Sequence, residues 1–337
     1  MLEGDRVLAV AGVDLNPFAV AISRFRLLVA ALQVAGVQRL ADAPDFTIHV
    51  AIGDSLLHGR RFGLAGLSAT RSEQLFDDAQ AHADEGLAHA YASEDLAQVQ
   101  HILSRQYHAV VGNPPYIVVK DAALNAAYRQ RYASCHMKYS LGAPFTERFF
   151  ELALTGNGRP AGFVGLITAN SFMKREFGSK LIEQVLPRLD LTHVVDTSGA
   201  YIPGHGTPTL LLFGRKRAPA DAPVVAVLDK RGESEVPQDP QAAPVWSEIV
   251  AVHGRTGHEG AYVSVESFER TALKRHPWVL VGGGARTMLA SLESSAPRVL
   301  INAIDDLGFS VIIGEDDAFV RPPHAVRSLP STPDRKS

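Results

Sequence analysis

The sequence has very little cysteine and no recognisable export or membrane signal. Cys135 is the single cysteine among 337 residues, which excludes an internal disulfide and a CxxC metal site. No run of eighteen apolar residues and no N-terminal signal pattern occurs. We therefore expect a cytoplasmic protein that does not span a membrane.

Several common catalytic patterns are also missing. The sequence contains no HExxH, no GxSxG, and neither GxxxxGKS nor GxxxxGKT. These absences argue against a zinc peptidase, a serine hydrolase and a P-loop nucleotide site, and we expect no metal. The net charge of −3 gives no basic excess of the kind that nucleic-acid-binding proteins usually show, although a basic face can exist within a neutral total.

What the sequence does contain is an alternation of apolar strand patterns and helical patterns, which is typical of an α/β fold with a mostly parallel sheet. Hydrophobic content of 46% is enough for one large core or two modest ones. The patterns predict strands at 6–13, 46–52, 107–112, 162–168, 192–196 and 209–214, and helices at 17–35, 144–155 and 170–186. Residues 218–260 are rich in proline, alanine and charge, which suits a linker or an insertion at the sheet edge.

The most informative motif is the tetrapeptide Asn113-Pro114-Pro115-Tyr116, which follows the strand predicted at 107–112. The Asn113 amide oxygen and the Pro114 carbonyl can both accept hydrogen bonds from an exocyclic amino group. The prolines fix φ and remove competing backbone donors. The flat ring of Tyr116 can stack on a planar substrate, a contact worth about 1–3 kcal/mol for an extruded base. The alternative is an ordinary Pro-Pro turn with a surface tyrosine.

Two acidic residues follow other predicted strands. Asp14 comes after the first strand and Asp54 after the second, and open α/β sheets bind ligands at the carboxyl ends of their strands. A carboxylate there can accept from both ribose hydroxyls, and a second can accept from an adenine amino group. Either aspartate can also be a simple helix cap. Asn16 and Pro17 predict the start of the first helix, as its N-cap and first residue.

As an ordered set, these motifs resemble the amino-methyltransferases that modify adenine N6 in DNA, of the restriction and phage-defence type. The resemblance rests on Gly12-Val-Asp14-Leu-Asn16-Pro17, Gly53-Asp54-Ser55-Leu56, Val111-Gly112-Asn113-Pro114-Pro115-Tyr116 and the segment 162–172. It covers about residues 5–217 and is closest to the PglX family of BREX phage-defence methyltransferases and to enzymes that fuse restriction and modification.

The resemblance implies a Rossmann-like class I methyltransferase sheet, mostly parallel with an antiparallel last strand. It also implies S-adenosylmethionine as cofactor and double-stranded DNA with a flipped adenine as substrate, with other defence-system proteins as further partners. The implied catalytic residues are Asn113, Pro114, Pro115 and Tyr116. The implied cofactor-binding residues are Asp14, Leu15, Asn16, Asp54, Ser55 and Asn113. Tyr116 and Tyr201 are the implied stacking residues for the base. The alternative for Tyr201 is that it simply lies in an ordinary surface loop.

One departure from the family concerns its first strand, which ends in a glycine-rich loop around the methionine part of the cofactor. We expect this strand to be missing here, because nothing before Leu8 has room for it, and we expect an apolar gap between the strands of Asp14 and Asn113. The predicted domains are an N-terminally incomplete catalytic domain at 1–217, a linker and the start of a target-recognition region at 218–320, and a disordered tail at 321–337.

Two other functions stay open. An enzyme that methylates RNA or a protein glutamine can use the same tetrapeptide, since it also grips a planar amino or amide group. A non-catalytic fragment or DNA-binding module would keep the fold without turnover. Aromatic and basic residues alternate between 128 and 139, which favours a DNA enzyme, but an amphipathic helix with tyrosines inside and arginines outside explains the same pattern.

Overall fold

The computed structural model describes residues 10–37, 39–43, 47–64, 94–156, 158, 160–204, 206–252, 254–280, 284–298 and 302–304. The chain divides into two units, at 1–285 and 286–337. One regular helix, Ala285–Ser295, lies in the described part of the second unit. Its first residue, Ala285, is the last residue of the first unit. All the strands below belong to the first unit.

Eight strands and five helices make up the described part of the first unit. The strands are β1 (Ala11–Asp14), β2 (His49–Ile52), β3 (Ala109–Gly112), β4 (Phe163–Ala169), β5 (Asp190–Asp196), β6 (Thr209–Arg215), β7 (Val224–Asp229) and β8 (Val263–Phe268). The helices are α1 (Pro17–Val34), α2 (Leu96–Leu103), α3 (Ala122–Arg131), α4 (Gly142–Leu152) and α5 (Pro244–Ala251).

The strands form one two-stranded and one six-stranded sheet. β1 and β2 are parallel, and the larger sheet has the order β3-β4-β6-β5-β7-β8. Within it β3, β4, β5 and β7 run in one direction, while β6 and β8 run in the other. This arrangement confirms the predicted Rossmann-like α/β fold. β6 is the expected antiparallel strand, and β8 is a second one.

The described part of the sheet is interrupted between β1 and β3. No ladder joins these two strands among the described residues, yet both pack on one apolar cluster. That cluster contains Ala51, Val99, Ile102, Leu103 and Leu152, with Ala11, Val13 and Val110 packed against it. Val111 in the middle of β3 is 78% exposed. Among the described residues β3 therefore pairs on one side only, with β4, at the position where the sequence predicts a gap, and its face at Val111 is uncovered.

Helix α1 begins as predicted. The Asn16 side chain caps it by accepting from the backbone N–H groups of Phe18 and Ala19, and Pro17 is its first residue. By length and composition alone α1 could also cross a membrane, which is weak evidence against the prediction of no membrane span. In the structure Arg24 Nε donates to the Val50 carbonyl at 2.8 Å, so the helix is tied to β2.

One sequence prediction of local structure is wrong. The helix expected at 170–186 is instead a series of short 3₁₀ and π turns between Asn170 and Arg188. The sheet continues beyond residue 217, because β7 pairs with β5 and β8 pairs with β7. Of the two interpretations of residues 218–260, a linker and an insertion at the sheet edge, the strands at 224–229 and 263–268 favour the second. The tail predicted at 321–337 lies outside the described residues.

The main core lies between the larger sheet, α3, α4 and the turns of residues 170–189. Its fully or nearly fully buried members include Phe150, Tyr139, Leu210, Leu212 and Trp278. A second cluster forms where α5 covers β5, β7 and β8, and it contains Val195, Val227, Val245, Ile249 and Val263. Together the two clusters hold β3, β4 and β5 in place, so that their carboxyl ends share one edge.

Candidate active site

The Asn113–Tyr116 turn stands at the carboxyl end of β3. Gly112 precedes it and packs against the ring of Phe149 on α4 so closely that a Cβ there would lie 2.6 Å from the ring. Pro114 is buried, whereas the Asn113 side chain is exposed. The structure therefore presents the amide of Asn113 to solvent on a turn whose backbone is fixed by two prolines.

Tyr116 contacts the amide that precedes it in the turn. Its hydroxyl donates to Asn113 Oδ1 at 2.7 Å. Partial burial raises the pKa of this phenol, so it remains a neutral donor at pH 7. An amide oxygen has two lone pairs, and Asn113 Oδ1 can accept a second donor on its other side.

The segment after the turn is attached to the start of α4. Leu141 N donates to the Ile117 carbonyl at 3.0 Å, and Val118 forms an isolated bridge with Ser140. Asp121 then caps α3, accepting from Leu124 N at 2.7 Å. The turn is thus held by β3 on one side and by the two helices on the other.

Asp14 lies at the carboxyl end of β1 and is exposed. Its Oδ1 accepts from Asn16 N at 2.7 Å, and no hydrogen bond from a described residue reaches its Oδ2. Leu15 and Asn16 are also exposed. A cavity of about 530 Å³ is lined by residues 10–14, Ser23, Arg26, Leu27 and Val50. It contains Asp14 but neither Asp54 nor Asn113, so by itself it is not the predicted site.

Asp54 lies beside Asp14, because Gly53 N donates to the Asp14 carbonyl at 3.0 Å where β1 and β2 end. Its side chain is turned into the protein and is only 4% exposed. Oδ1 accepts from Leu56 N at 2.8 Å and Leu57 N at 3.2 Å, while Oδ2 accepts from the Tyr128 hydroxyl. Ser55 is half-buried next to it. The carboxylate therefore has a fixed orientation.

Sequence analysis missed the groups that hold the loop after β2. Arg148 on α4 is completely buried and donates to the carbonyls of Ser55 at 3.1 Å, His58 at 2.9 Å and Arg60 at 2.9 Å. Glu94 accepts from Asp54 N at 2.8 Å and contacts His58 Nε2 at 3.0 Å. A signal in the sequence was the presence of three charged residues, Glu147, Arg148 and Glu151, in an otherwise uncharged helix.

A buried ion cluster supports the same loop. Arg61 Nε contacts both carboxylate oxygens of Glu151, at 2.7 and 2.9 Å, and Arg148 Nη1 contacts Glu151 at 3.1 Å. Burial alone would raise the pKa of Glu151, but the two arginines outweigh it and lower that pKa. Glu147 has the opposite shift, since burial and the Glu151 charge raise its pKa. Glu151 is therefore the ionised partner that keeps the arginines in place.

The structure brings the predicted residues together in two groups. Asp14, Leu15, Asn16, Asp54 and Ser55 lie at the end of the β1–β2 pair, and the Asn113–Tyr116 turn lies at the end of β3. The gap in the described sheet separates the groups. Tyr201 is half-buried in the loop after β5, three strands along the sheet order from β3, and its role as a stacking residue stays a prediction.

The tyrosines of the aromatic and basic segment at 128–139 face the interior. Tyr128, Tyr132 and Tyr139 are all buried in the main core. The guanidinium of Arg129 covers the Tyr139 ring and donates to the carbonyls of Cys135 and Met137. The alternative is therefore right about the tyrosines, which cannot stack on bases, but the helix ends at Arg131, and Arg131 donates inward to the Leu57 carbonyl.

An α/β sheet with acidic residues and an Asn-Pro-Pro-Tyr turn at its strand ends has the architecture of a Rossmann-like methyltransferase. The model of the Eco57I restriction-modification methylase family matches residues 9–202. The chain belongs to this family.

Among curated proteins, the adenine-specific methyltransferase PglX of Streptomyces coelicolor is 43% identical over 329 residues, which are 95% of this chain and 26% of PglX. The type II methyltransferase M.PaeR7I of Pseudomonas aeruginosa is 27% identical over 69% of this chain and 38% of its own length. A solved structure, the M protein of the type I restriction enzyme EcoKI, is 13% identical with a TM-score of 0.34, covering 69% of this chain and 39% of that one. The chain thus spans about a quarter of PglX and about two fifths of M.PaeR7I.

Proposed function

We propose that this chain carries the catalytic chemistry of an adenine-specific DNA methyltransferase, which transfers a methyl group from S-adenosylmethionine to adenine N6 in restriction-modification or BREX-type defence. The observation that carries the proposal is the exposed Asn113 amide on a proline-fixed turn at the end of β3, in a member of a restriction-modification methylase family. A fixed acceptor of this kind suits a planar exocyclic amino group.

The turn would act on the target base by binding and orienting it. Asn113 Oδ1 and the Pro114 carbonyl would accept from the two amino protons, which draws the nitrogen lone pair out of conjugation with the ring. Tyr116 would stack on the base, and its hydroxyl already orients Asn113 Oδ1. N6 would attack the methyl group as its bond to sulfur breaks, S-adenosylhomocysteine would leave, and the positively charged N6 would then lose one proton to water. No residue of high pKa is needed, because that nitrogen is strongly acidic and positioning two bound reactants supplies most of the acceleration.

The residues at the ends of β1 and β2 fit the adenosine part of S-adenosylmethionine, which supplies the methyl group when bound. Asp14 is exposed and its Oδ2 is available among the described residues, so it can accept from the ribose hydroxyls. Asp54 has one acceptor position left on Oδ2 for an adenine amino group. Leu15, Asn16, Ser55 and Asn113 would complete the cofactor contacts.

The proposal also covers the substrate of the chain, its partners and its location in the cell. The substrate would be double-stranded DNA with the target adenine flipped out of the stack, because the Asn113 amide cannot reach a paired base inside a duplex. Other proteins of a defence system would be partners, and the chain would act in the cytoplasm.

Cofactor binding is the first test. Calorimetric titration of the chain with S-adenosylmethionine should give a 1:1 complex, and Asp14→Ala should weaken it about 10- to 100-fold, since hydrogen bonds to a charged group contribute about 1.5–3 kcal/mol. Val34→Ala, at the exposed far end of α1, is the matched control and should bind as the wild type does. Absence of binding by the wild type would contradict the proposal for this chain.

The product decides between the open functions. The chain should be incubated with labelled S-adenosylmethionine and, in separate reactions, unmethylated genomic DNA, RNA and a glutamine peptide, with mass spectrometry of the products. N6-methyladenine in DNA that disappears in Asn113→Ala, while cofactor binding persists, supports the proposal. Label in RNA or in the peptide would support the alternative methyltransferases. Cofactor binding without transfer to any of them would indicate a non-catalytic module.

A further inference from the structure

The Asp54 carboxylate is the most completely constrained polar group near the strand ends. Its Oδ1 accepts two backbone N–H groups, from Leu56 and Leu57, and its Oδ2 accepts the hydroxyl of Tyr128. Asp54 is 4% exposed and Tyr128 is 3% exposed, so bulk water reaches at most a small part of the carboxylate. A carboxylate has about four acceptor positions, and three of the four are used by these donors.

The donor to Oδ2 comes from a distant part of the chain. Tyr128 lies on α3, which begins directly after the segment that leaves the Asn113–Tyr116 turn. That segment is fixed by the bond from Leu141 N to the Ile117 carbonyl. Helix α3 therefore joins the turn proposed to bind the target amine to the loop proposed to bind the cofactor adenine.

We propose that Tyr128 is a positioning residue for cofactor binding: its hydroxyl holds Oδ2 of Asp54 so that the remaining acceptor position is presented to the adenine amino group. The inference rests on the proposed function, because it assumes that Asp54 contacts the cofactor. Without the hydroxyl, only the two N–H bonds to Oδ1 restrain the carboxylate, which can then rotate about its Cβ–Cγ bond and weaken them. The acceptor then loses its fixed direction, and fixed direction is what a preorganised site provides.

The chain offers a matched control for this idea. Tyr132 follows α3, is equally buried, and its hydroxyl donates to the Leu56 carbonyl at 2.8 Å. Tyr128→Phe and Tyr132→Phe each remove one hydroxyl and one bond to the same loop. One bond is to the Asp54 carboxylate and the other is to a backbone carbonyl. A purely structural role predicts similar effects, and the positioning role predicts different ones.

The first measurement needs no cofactor. Amide hydrogen exchange of Leu56 and Leu57 reports on their bonds to Oδ1, and we expect Tyr128→Phe to speed their exchange while Tyr132→Phe leaves these two amides close to wild type. The second is calorimetric titration with S-adenosylmethionine, in which Tyr128→Phe should raise the Kd about tenfold and Tyr132→Phe less than twofold. In turnover, Tyr128→Phe should raise KM for S-adenosylmethionine by the same factor, with kcat and KM for DNA unchanged.

The possible outcomes separate the inference from the proposed function. Wild-type binding that is weakened by Asp54→Asn but not by Tyr128→Phe overturns the inference alone. Equal effects of the two phenylalanine variants also overturn it, because they assign Tyr128 to general support of the loop. No binding by the wild type overturns the proposed function, and the inference with it.

Discussion

Replacing Arg148 should destabilise the protein more than any exposed charge replacement. Arg148 is 0% exposed and donates to the backbone carbonyls of Ser55, His58 and Arg60 and to the Glu151 carboxylate. Arg148→Met keeps most of the side-chain volume and removes every one of these donors. The three carbonyls then lose the donor that Arg148 provides, and the buried Glu151 carboxylate loses one of its two arginine partners.

The magnitude follows from the burial. Removing one member of a buried ion pair costs about 3–5 kcal/mol, and each unsatisfied buried acceptor costs about 1–3 kcal/mol. The costs are not additive, because Arg61 still contacts Glu151 and the loop can shift. We therefore expect a loss of about 3–5 kcal/mol, which is a large share of the total of about 5–15 kcal/mol for a folded domain.

Urea unfolding followed by circular dichroism measures this loss directly. With an m-value of about 3 kcal/mol/M, the midpoint should fall by about 1–1.7 M. Arg217→Met is the control, because Arg217 contacts Asp190 at 2.7 Å but is 42% exposed, and Asp190 keeps Arg270 at 2.7 Å. Its cost should stay below about 1 kcal/mol. If the two variants cost the same, the buried arginine does not stabilise the loop in the way described.

Three further predictions concern charge, stacking and close packing. The folded pKa of Glu147 is raised above 4.5, so the free energy of unfolding of the wild type should fall as pH rises from 4.5 through that raised value. Glu147→Gln lacks this titration, and its free energy of unfolding should rise relative to the wild type between pH 4.5 and 7.5. A constant difference between the two proteins across this range would contradict the shift. Tyr116→Ala should lower kcat/KM for DNA about 5- to 150-fold through the loss of about 1–3 kcal/mol of stacking, whereas Tyr116→Phe should stay within tenfold; equal losses would refute stacking. Gly112→Ala places a Cβ 2.6 Å from the Phe149 ring and should cost about 1–3 kcal/mol, most of which Phe149→Leu should restore in a double-mutant cycle measured by urea unfolding.

Local features of the fold could be predicted from the sequence because their causes are local. The cap of α1 needs only Asn16 and Pro17, and apolar runs specify β3, β4, β5 and β6. The position of the turn at Asn113 could be predicted as well, because it directly follows the apolar run that forms β3.

The failed helix prediction at 170–186 coincides with a close backbone contact inside the segment. Apolar spacing there suits a helix, but Gly178 packs against the backbone of Phe172 so tightly that a Cβ would lie 1.8 Å from the Phe172 carbonyl oxygen. The chain instead folds back through short turns, the last of which ends at Arg188. Such a contact is invisible to a reading that considers spacing alone.

For residues 218–260 the sequence left a linker and an insertion at the sheet edge open, because the composition hides short strands. Val224–Asp229 and Val263–Phe268 are six-residue strands separated by polar and proline-rich connections. Their apolar residues were a usable signal, but a linker has the same average composition. The pairing of β7 with β5 shows that these residues belong to the sheet, and such pairing is visible only in the folded structure.

The burial of Asp54 could not be predicted, since its partner Tyr128 is 74 residues away in the chain. This long-range bond bears on how the two halves of the candidate site are connected. Across the gap between β1 and β3 no strand ladder transmits position among the described residues. The bonds that do cross come from helices: Tyr128 on α3 to Asp54, and Arg148 on α4 to the loop after β2. Both helices follow the Asn113 turn in sequence, so a displacement of that turn reaches the proposed cofactor residues through α3 and α4. Methyl transfer between two bound reactants requires their alignment, and under the proposed function buried side chains from these helices would supply it.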